Sequence, residues 1–304
     1  MADDPLVSVV ITTFDRPELL ERAIGKCLEQ SYDNFEILVV DHSGERYAEK
    51  IVDDFDGVDY LGTSEELGQI GAWNEGFKQV SGDYVQFHDD DDWLKPSKIG
   101  KQADLISESE DVGVVYCGIE NDSGEILLPE ESNRGNVVEP VLRQKLKQCQ
   151  STTMLIDSTF LEELMPLHEF GNVGDLALQI ELSQKARLDY VSEPLVYRLM
   201  SHDSSGDTLL NRRKRLELID YYSDIYDKYP KIKKETRQEM NKMLGLKLLE
   251  EKRWSLEAIK SFYKVIYYKD EYDIKDITRL TSSIFGSPGL KTGDYLYHNY
   301  LSKL

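Results

Sequence analysis

The chain has little cysteine. Three residues in 304, Cys27, Cys117 and Cys149, are widely spaced in apolar or strand-like surroundings. That spacing excludes a disulfide framework and offers no zinc-ligand pattern, so each reads as a buried thiol. No stretch approaches the ~18 uninterrupted apolar residues of a membrane span. The opening Met1-Ala2-Asp3-Asp4-Pro5 is acidic and lacks the apolar region of a signal peptide, so a cytoplasmic location is expected, at most at the inner face of the cell membrane. Basic residues are in deficit, 36 against 57 acids, for a net charge of -21. A nucleic-acid partner needs a basic face and is therefore not expected. There is no Gly-x-Gly-x-x-Gly and no P-loop pattern, which removes support for a dinucleotide fingerprint or an ATPase.

What is present is ample for a packed core: 40% hydrophobic and 10% aromatic residues, in a length that suits one or two domains. The acidic balance also fits solubility in concentrated salt, as in a halophile. The most informative stretch is Gly82 to Trp93. Tyr84 to Phe87 reads as a buried strand that ends in four consecutive aspartates, Asp89 to Asp92. Four carboxylates cannot be buried within a strand, so they belong to a loop at its carboxyl end. In an open parallel sheet that edge binds ligands. Side chains two apart in extended chain point the same way, so Asp89 and Asp91 can converge on one ion. Hard oxygen donors suit Mg2+ or Mn2+, which usually also hold a substrate phosphate. A solvated acidic turn is the plain alternative.

Leu6 to Phe14 is a near-continuous apolar run, as in a central parallel strand. Asp15-Arg16-Pro17-Glu18 opens a helix whose Leu19, Leu20, Ala23, Ile24, Cys27 and Leu28 face the sheet. Phe35 to Val40 is the second strand, stopping at Asp41-His42-Ser43-Gly44. A helix over Glu45 to Phe55, a strand over Val58 to Gly62, a helix over Glu65 to Val80, a helix from Pro96 to about Ser109 and a strand over Val112 to Cys117 follow. A hairpin turn is expected at Asn121 to Gly124. This alternation predicts an α/β fold, a doubly wound, mostly parallel sheet with helices on both faces. Polar residues line up at three strand ends: Thr12, Thr13 and Asp15, then Asp41, then Asp89 to Asp92. Such groups can accept hydrogen bonds from a ribose or a base.

These residues carry a resemblance. Val7 to Arg16 is similar to the opening strand of family 2 glycosyltransferases, which have the GT-A fold. Gln30 to Asp41 resembles that family's second strand and lead-in, Gly71-Ala72-Trp73-Asn74-Glu75-Gly76 its Ala-Arg-Asn-x-Gly helix, and Phe87 to Trp93 its Phe-Leu-Asp-x-Asp-Asp segment, with Pro96 and Lys98 in the usual places. The resemblance implies a nucleoside-diphosphate sugar donor. It places Thr12 and Asp41, with Asp15 as a weaker neighbour, on the nucleotide, together with Asp89 and Asp90, and a divalent ion on Asp89 and Asp91. The family's second strand usually ends Asp-Asp-Gly-Ser; here His42 replaces the second aspartate. His42 bonds or stacks on the base, or is an exposed turn residue.

Further on, Val138 to Lys147 is expected to be helical and Cys149 to Ile156 a strand. Phe170 to Leu182 opens a helix and resembles the family's Glu-Asp segment, with Gly174 in place of the glutamate. The resemblance makes Asp175 the general base of an inverting transfer; a first-turn acid satisfying free N–H groups is the other reading. Leu188 to Val191 and Leu195 to Leu199 read as strands. Arg198 and His202 either contact the diphosphate or the metal, or are structural. The absence of Gln-x-x-Arg-Trp speaks against a processive polysaccharide synthase. The expected organisation is a GT-A catalytic domain over residues 1–206, with a nucleotide-sugar half at about 1–120 and an acceptor half at about 121–206, followed by a helical region over 207–304. Helices are expected at Leu209 to Tyr229, Lys231 to Glu251 and Ser255 to Tyr268. This region leans basic and is rich in tyrosine. It either meets an anionic membrane surface and a lipid-linked acceptor, or packs on the catalytic domain and mediates dimerisation. The expected activity is metal-dependent transfer of one sugar to a glycan, lipid-linked and in protein or surface-glycan glycosylation. A polyprenyl-phosphate sugar synthase and a non-catalytic nucleotide-binding scaffold are the alternatives.

Overall fold

A computed structural model describes residues 4–109, 111–199, 207–269 and 273–299. The chain divides into two compact units, Met1–Asp203 and Ser204–Leu304.

In the first unit the elements run β1 (Val7–Thr13), α1 (Pro17–Leu28), β2 (Phe35–Asp41), α2 (Glu49–Val52), β3 (Val58–Gly62), α3 (Gln69–Phe77), β4 (Tyr84–Asp89), β5 (Asp92–Leu94), α4 (Lys98–Ser107), β6 (Val112–Asn121), β7 (Ile126–Leu127), α5 (Val138–Leu142), β8 (Leu155–Asp157), α6 (Ser158–Glu162), α7 (Gly174–Lys185) and β9 (Arg187–Arg198). They form one sheet of order β3-β2-β1-β4-β8-β6-β9-β5, with β7 added to β6. The first four strands in that order are parallel. Antiparallel pairs enter with β8, β7 and β5, while β6 and β9 run parallel. β1 is buried along its whole length, as its β-branched run requires. Pro17 and Glu18 start α1, and Leu20, Ala23, Ile24 and Cys27 bury its inner face. All three cysteines are free and buried.

Several elements differ from the sequence reading. Leu28 is exposed, because α1 ends there. The helices expected over Glu45 to Phe55 and Val138 to Lys147 shrink to α2 and α5. Arg46 and Gln144 take left-handed φ angles of 56° and 54°, which interrupt a helix. Cys149 to Ile156 is mostly not a strand: Ser151–Thr153 is a 3-10 turn whose Gln150 and Thr153 side chains cap each other's backbone, and only β8 is extended. The two strands expected at 188–191 and 195–199 are one irregular strand, β9, shifted in register near Gly118.

The second unit is helical: α8 (Leu209–Tyr221), α9 (Ser223–Tyr226), α10 (Pro230–Glu251), α11 (Leu256–Tyr267), α12 (Ile274–Ser283) and α13 (Gly286–Asn299). Its core joins Leu244, Leu248 and Leu249 of α10 with Ala258 and Phe262 of α11 and Leu290 of α13. Gly245 lets α10 approach Phe262 closely, since a Cβ there would lie 2.9 Å from the ring. Among the described residues no helix is long and apolar enough to cross a membrane.

Candidate active site

The parallel register sets the site. Thr12 pairs with Asp89 and Thr13 with Asp41, so three strand ends reach one edge together. After β4 the chain turns at Asp90 and Asp91, and the four aspartates separate. Asp89, Asp91 and Asp92 converge, with one oxygen from each lying within 4.8 Å of the others. Asp90 points elsewhere and is fully buried. It accepts from the Thr13 hydroxyl at 2.6 Å and pairs with Arg16 at 2.5 Å. Burial pushes its carboxyl up to about 7, against the pull of Arg16 and Thr13.

Asp89 accepts from the Gln69 amide at 2.6 Å. Its carboxyl is held well above the usual carboxylate range, by burial first and then by Asp91, Asp92 and Asp175; Arg198 opposes the shift. Asp91 pairs with Arg16 at 3.2 Å. Asp92, 2% exposed, receives two bonds from Arg198 at 2.9 and 3.3 Å. Three carboxylates repelling one another across a few ångströms fit a divalent cation: hard oxygen donors, convergent, and electrostatically short of positive charge.

Asp175 occupies the first turn of α7, and its Oδ1 accepts from the Ser151 N–H at 2.9 Å. Burial raises its carboxyl above the usual range, and the contact with Ser151 works the other way. Asp175 and Asp89 feel each other's charge, and Arg198 acts on both. Arg198 also donates to Gln150, the residue preceding Ser151, so one guanidinium joins the aspartate cluster to the turn that holds Asp175.

The nucleotide-side residues fare differently. Thr12 is buried beside Asp89. Asp41 is fully buried, and its oxygens serve the chain itself: Oδ1 accepts from the Ser43 N–H and hydroxyl, Oδ2 from the Ala48 N–H at 3.0 Å and the Tyr60 hydroxyl at 3.2 Å. Its present work is to fold the loop after β2. Gly44 completes that loop with φ 81°, a conformation that suits glycine, against the backbone of Glu65 and Glu66. Asp15 is exposed at the β1–α1 turn with φ 50°. His42 is half-buried, 5.4 Å from the Phe14 ring. Its Nδ1 lies 2.6 Å from the Leu67 carbonyl. A carbonyl only accepts, so Nδ1 carries the proton; burial keeps the ring neutral, and Nε2 remains an acceptor. His202 lies outside the described residues. Sequence reasoning missed Arg16, Gln69, Gln150 and Ser151 as site residues. Arg16 was visible beside the first-strand motif, but nothing in one sequence marks Gln69 or the 150–151 turn.

The sheet and the aspartate cluster at the ends of its parallel strands have the arrangement of a glycosyltransferase of the GT-A type. The family model for glycosyl transferase family 2 matches residues 8–164, more than half of the chain, which therefore belongs to that family. An uncharacterised glycosyltransferase of Rickettsia prowazekii is 26% identical over 257 residues, covering 79% of this chain and 76% of that protein. The GalNAc(5)-diNAcBac-PP-undecaprenol beta-1,3-glucosyltransferase of Campylobacter jejuni is 37% identical over 95 residues, 30% of this chain and 31% of that protein. Among solved structures, a mannosyltransferase of Pyrobaculum calidifontis in complex with GDP-Man and Mn2+ matches with a TM-score of 0.61 at 13% identity, over 99% of this chain and 83% of that one, a likeness of fold.

Proposed function

We propose that the chain is an inverting glycosyltransferase that moves one sugar from a nucleoside-diphosphate sugar to the hydroxyl of a lipid-linked glycan, in the assembly of a surface or protein-attached glycan. The observation that carries the reading is the placing of Asp175 within electrostatic reach of the Asp89, Asp91 and Asp92 cluster. Asp175 takes the acceptor hydroxyl proton while that oxygen attacks C1 of the donor sugar. The new C1–O bond forms as the bond to the diphosphate breaks on the opposite face, and the diphosphate leaves with the electron pair. Ser151 holds one carboxylate oxygen and leaves the other to receive the proton. The raised Asp175 carboxyl is a stronger base than an ordinary carboxylate. Mn2+ or Mg2+ on Asp89, Asp91 and Asp92 would offset the charge of the departing diphosphate. Thr12 and His42, with Nε2 as acceptor, face the nucleoside, and Arg198 supports the cluster through Asp92. The GDP-Man and Mn2+ of the Pyrobaculum neighbour and the undecaprenol-linked acceptor in the Campylobacter relative's name support the donor and acceptor classes.

Asp175→Asn tests it. Transfer falls by about 10²–10⁴ with nucleotide affinity retained, because only the proton acceptor is lost. The wild-type product carries the opposite anomeric configuration to the donor by NMR. In the wild type kcat/KM rises with pH through a pKa above the ordinary carboxylate range, since the base must be ionised to act. Full activity in Asp175→Asn would leave a different residue as base, and no transfer by wild type with intact nucleotide binding would leave a scaffold.

A further inference from the structure

The charge of this protein is divided unevenly. Met1–Asp203 holds 16 basic against 42 acidic residues, while Ser204–Leu304 holds 20 against 15. Within the basic unit, α11 buries Ala258, Phe262 and Val265 on one side. At 100° per residue, Leu256, Lys260, Tyr263, Lys264 and Tyr267 fall in one sector of about 100° on the other. All five are exposed, Tyr263 at 58% and Tyr267 at 70%. The two tyrosine rings stack on each other at 6.4 Å. No carboxylate lies in that sector. Glu257 borders it, and Arg213 occupies both its oxygens at 2.7 and 2.9 Å.

The turn before α11 carries further exposed aromatic surface. Trp254 is exposed, yet its indole N–H donates to the Ile284 carbonyl at 2.9 Å, and Ser287 N–H donates to the Arg253 carbonyl at 2.9 Å. These bonds hold Trp254 and the exposed Phe285 at one corner, with Lys252 and Arg253 alongside. Aromatic rings with polar tips next to lysines on flexible stems match the boundary of a bilayer, where the ring enters the headgroup layer and the ammonium stays at the phosphates. Charge complementarity selects an anionic surface.

We propose that this face of α11, with the Trp254–Phe285 corner, docks the protein on an anionic lipid bilayer. It rests on the reading above only for its purpose, bringing the enzyme to a lipid-linked acceptor. Charges are screened beyond about 8 Å at physiological ionic strength, so the lysines in contact with the surface dominate the attraction.

The test is co-sedimentation of the full chain with phosphatidylcholine vesicles, alone or containing phosphatidylglycerol. The chain is expected to sediment only with the anionic vesicles. Each lysine at the surface contributes about fivefold, so Lys260→Gln/Lys264→Gln lowers the partition coefficient about 30-fold. Tyr263→Ser/Tyr267→Ser, both at exposed positions, lowers it as well. Trp73 is buried and Trp93 half-buried, so quenching by brominated acyl chains is expected to report Trp254 and to vanish in Trp254→Phe. Equal partitioning of wild type and both variants, or no sedimentation with anionic vesicles, overturns the proposal. A dimer of the free chain that Tyr263→Ser/Tyr267→Ser dissolves, without vesicle binding, assigns the face to a second copy instead. Nucleotide binding is expected to be unchanged in every variant, so failure here leaves the transferase reading untouched.

Discussion

Lys98 offers a test of how the floor of the site is built. It is fully buried at the start of α4, and its ammonium donates to the Gln86 side-chain carbonyl. The Gln86 amide in turn donates to the carbonyls of Ser151 and Thr152 at 3.1 and 3.0 Å, the turn that holds Asp175. Burial lowers the lysine from 10.5 to about 8, with the neighbouring Cys117 and Cys27 opposing. In the unfolded chain the proton is held up to 10.5; in the fold it leaves at about 8. Between those values the unfolded chain holds more protons, so stability rises with pH. Below pH 8 the buried charge costs about 3 kcal/mol. Lys98→Met removes that cost but orphans the Gln86 oxygen, for about 1–3 kcal/mol. The variant is therefore expected to equal or exceed wild type by up to about 2 kcal/mol at pH 7, and to fall about 1–3 kcal/mol below it at pH 10.5. Urea unfolding at several pH values, in a Trp254→Phe background so that Trp73 and Trp93 report the first unit, reads the difference. Parallel stability curves for the two proteins from pH 7 to 10.5 would refute the reasoning.

Arg198→Leu leaves Asp92 buried without its cation and is expected to cost about 3–5 kcal/mol in metal-free buffer, by the same unfolding measurement. Gly76→Ala puts a Cβ 2.6 Å from Val10 and 3.0 Å from Val40, both in the core. Overpacking of about 1–3 kcal/mol, less about 1 kcal/mol of helix propensity, predicts a lower melting temperature.

Much of the parallel half was legible because its signals are local. A buried β-branched run that ends in charge can only be a strand meeting solvent, which is why Val7–Thr13 and Phe35–Asp41 match their expected positions closely; Val58–Gly62, only partly buried, matches as well. The period of two paired Asp89 with Asp91. It could not add Asp92, which joins them because the chain turns and β5 pairs with β9, opposing Asp92 to Arg198. Arg198 itself was visible as a charge near the site, but its partners Asp92 and Gln150 are 106 and 48 residues away. Asp41 was read as a nucleotide contact from its position at a strand end; its three bonds to the following loop and one to Tyr60 of β3 depend on how those segments fold. The 151–153 turn was misread because threonine suits strands, while here Gln150 and Thr153 spend their side chains on the turn's own backbone.

The most direct test of the account is a thermal-shift measurement with UDP, GDP, TDP and CMP, each with Mn2+, with Mg2+ and with chelator, on wild type and Asp91→Ala. A ligand at 100 times its Kd stabilises the fold by about 2.7 kcal/mol, well within reach of the method. The account predicts that one nucleotide raises the melting temperature only when a divalent cation is present, and that Asp91→Ala abolishes the shift. A shift of the same size in chelator, or one that survives in Asp91→Ala, would contradict the assignment of the aspartate cluster to a cation that holds the donor.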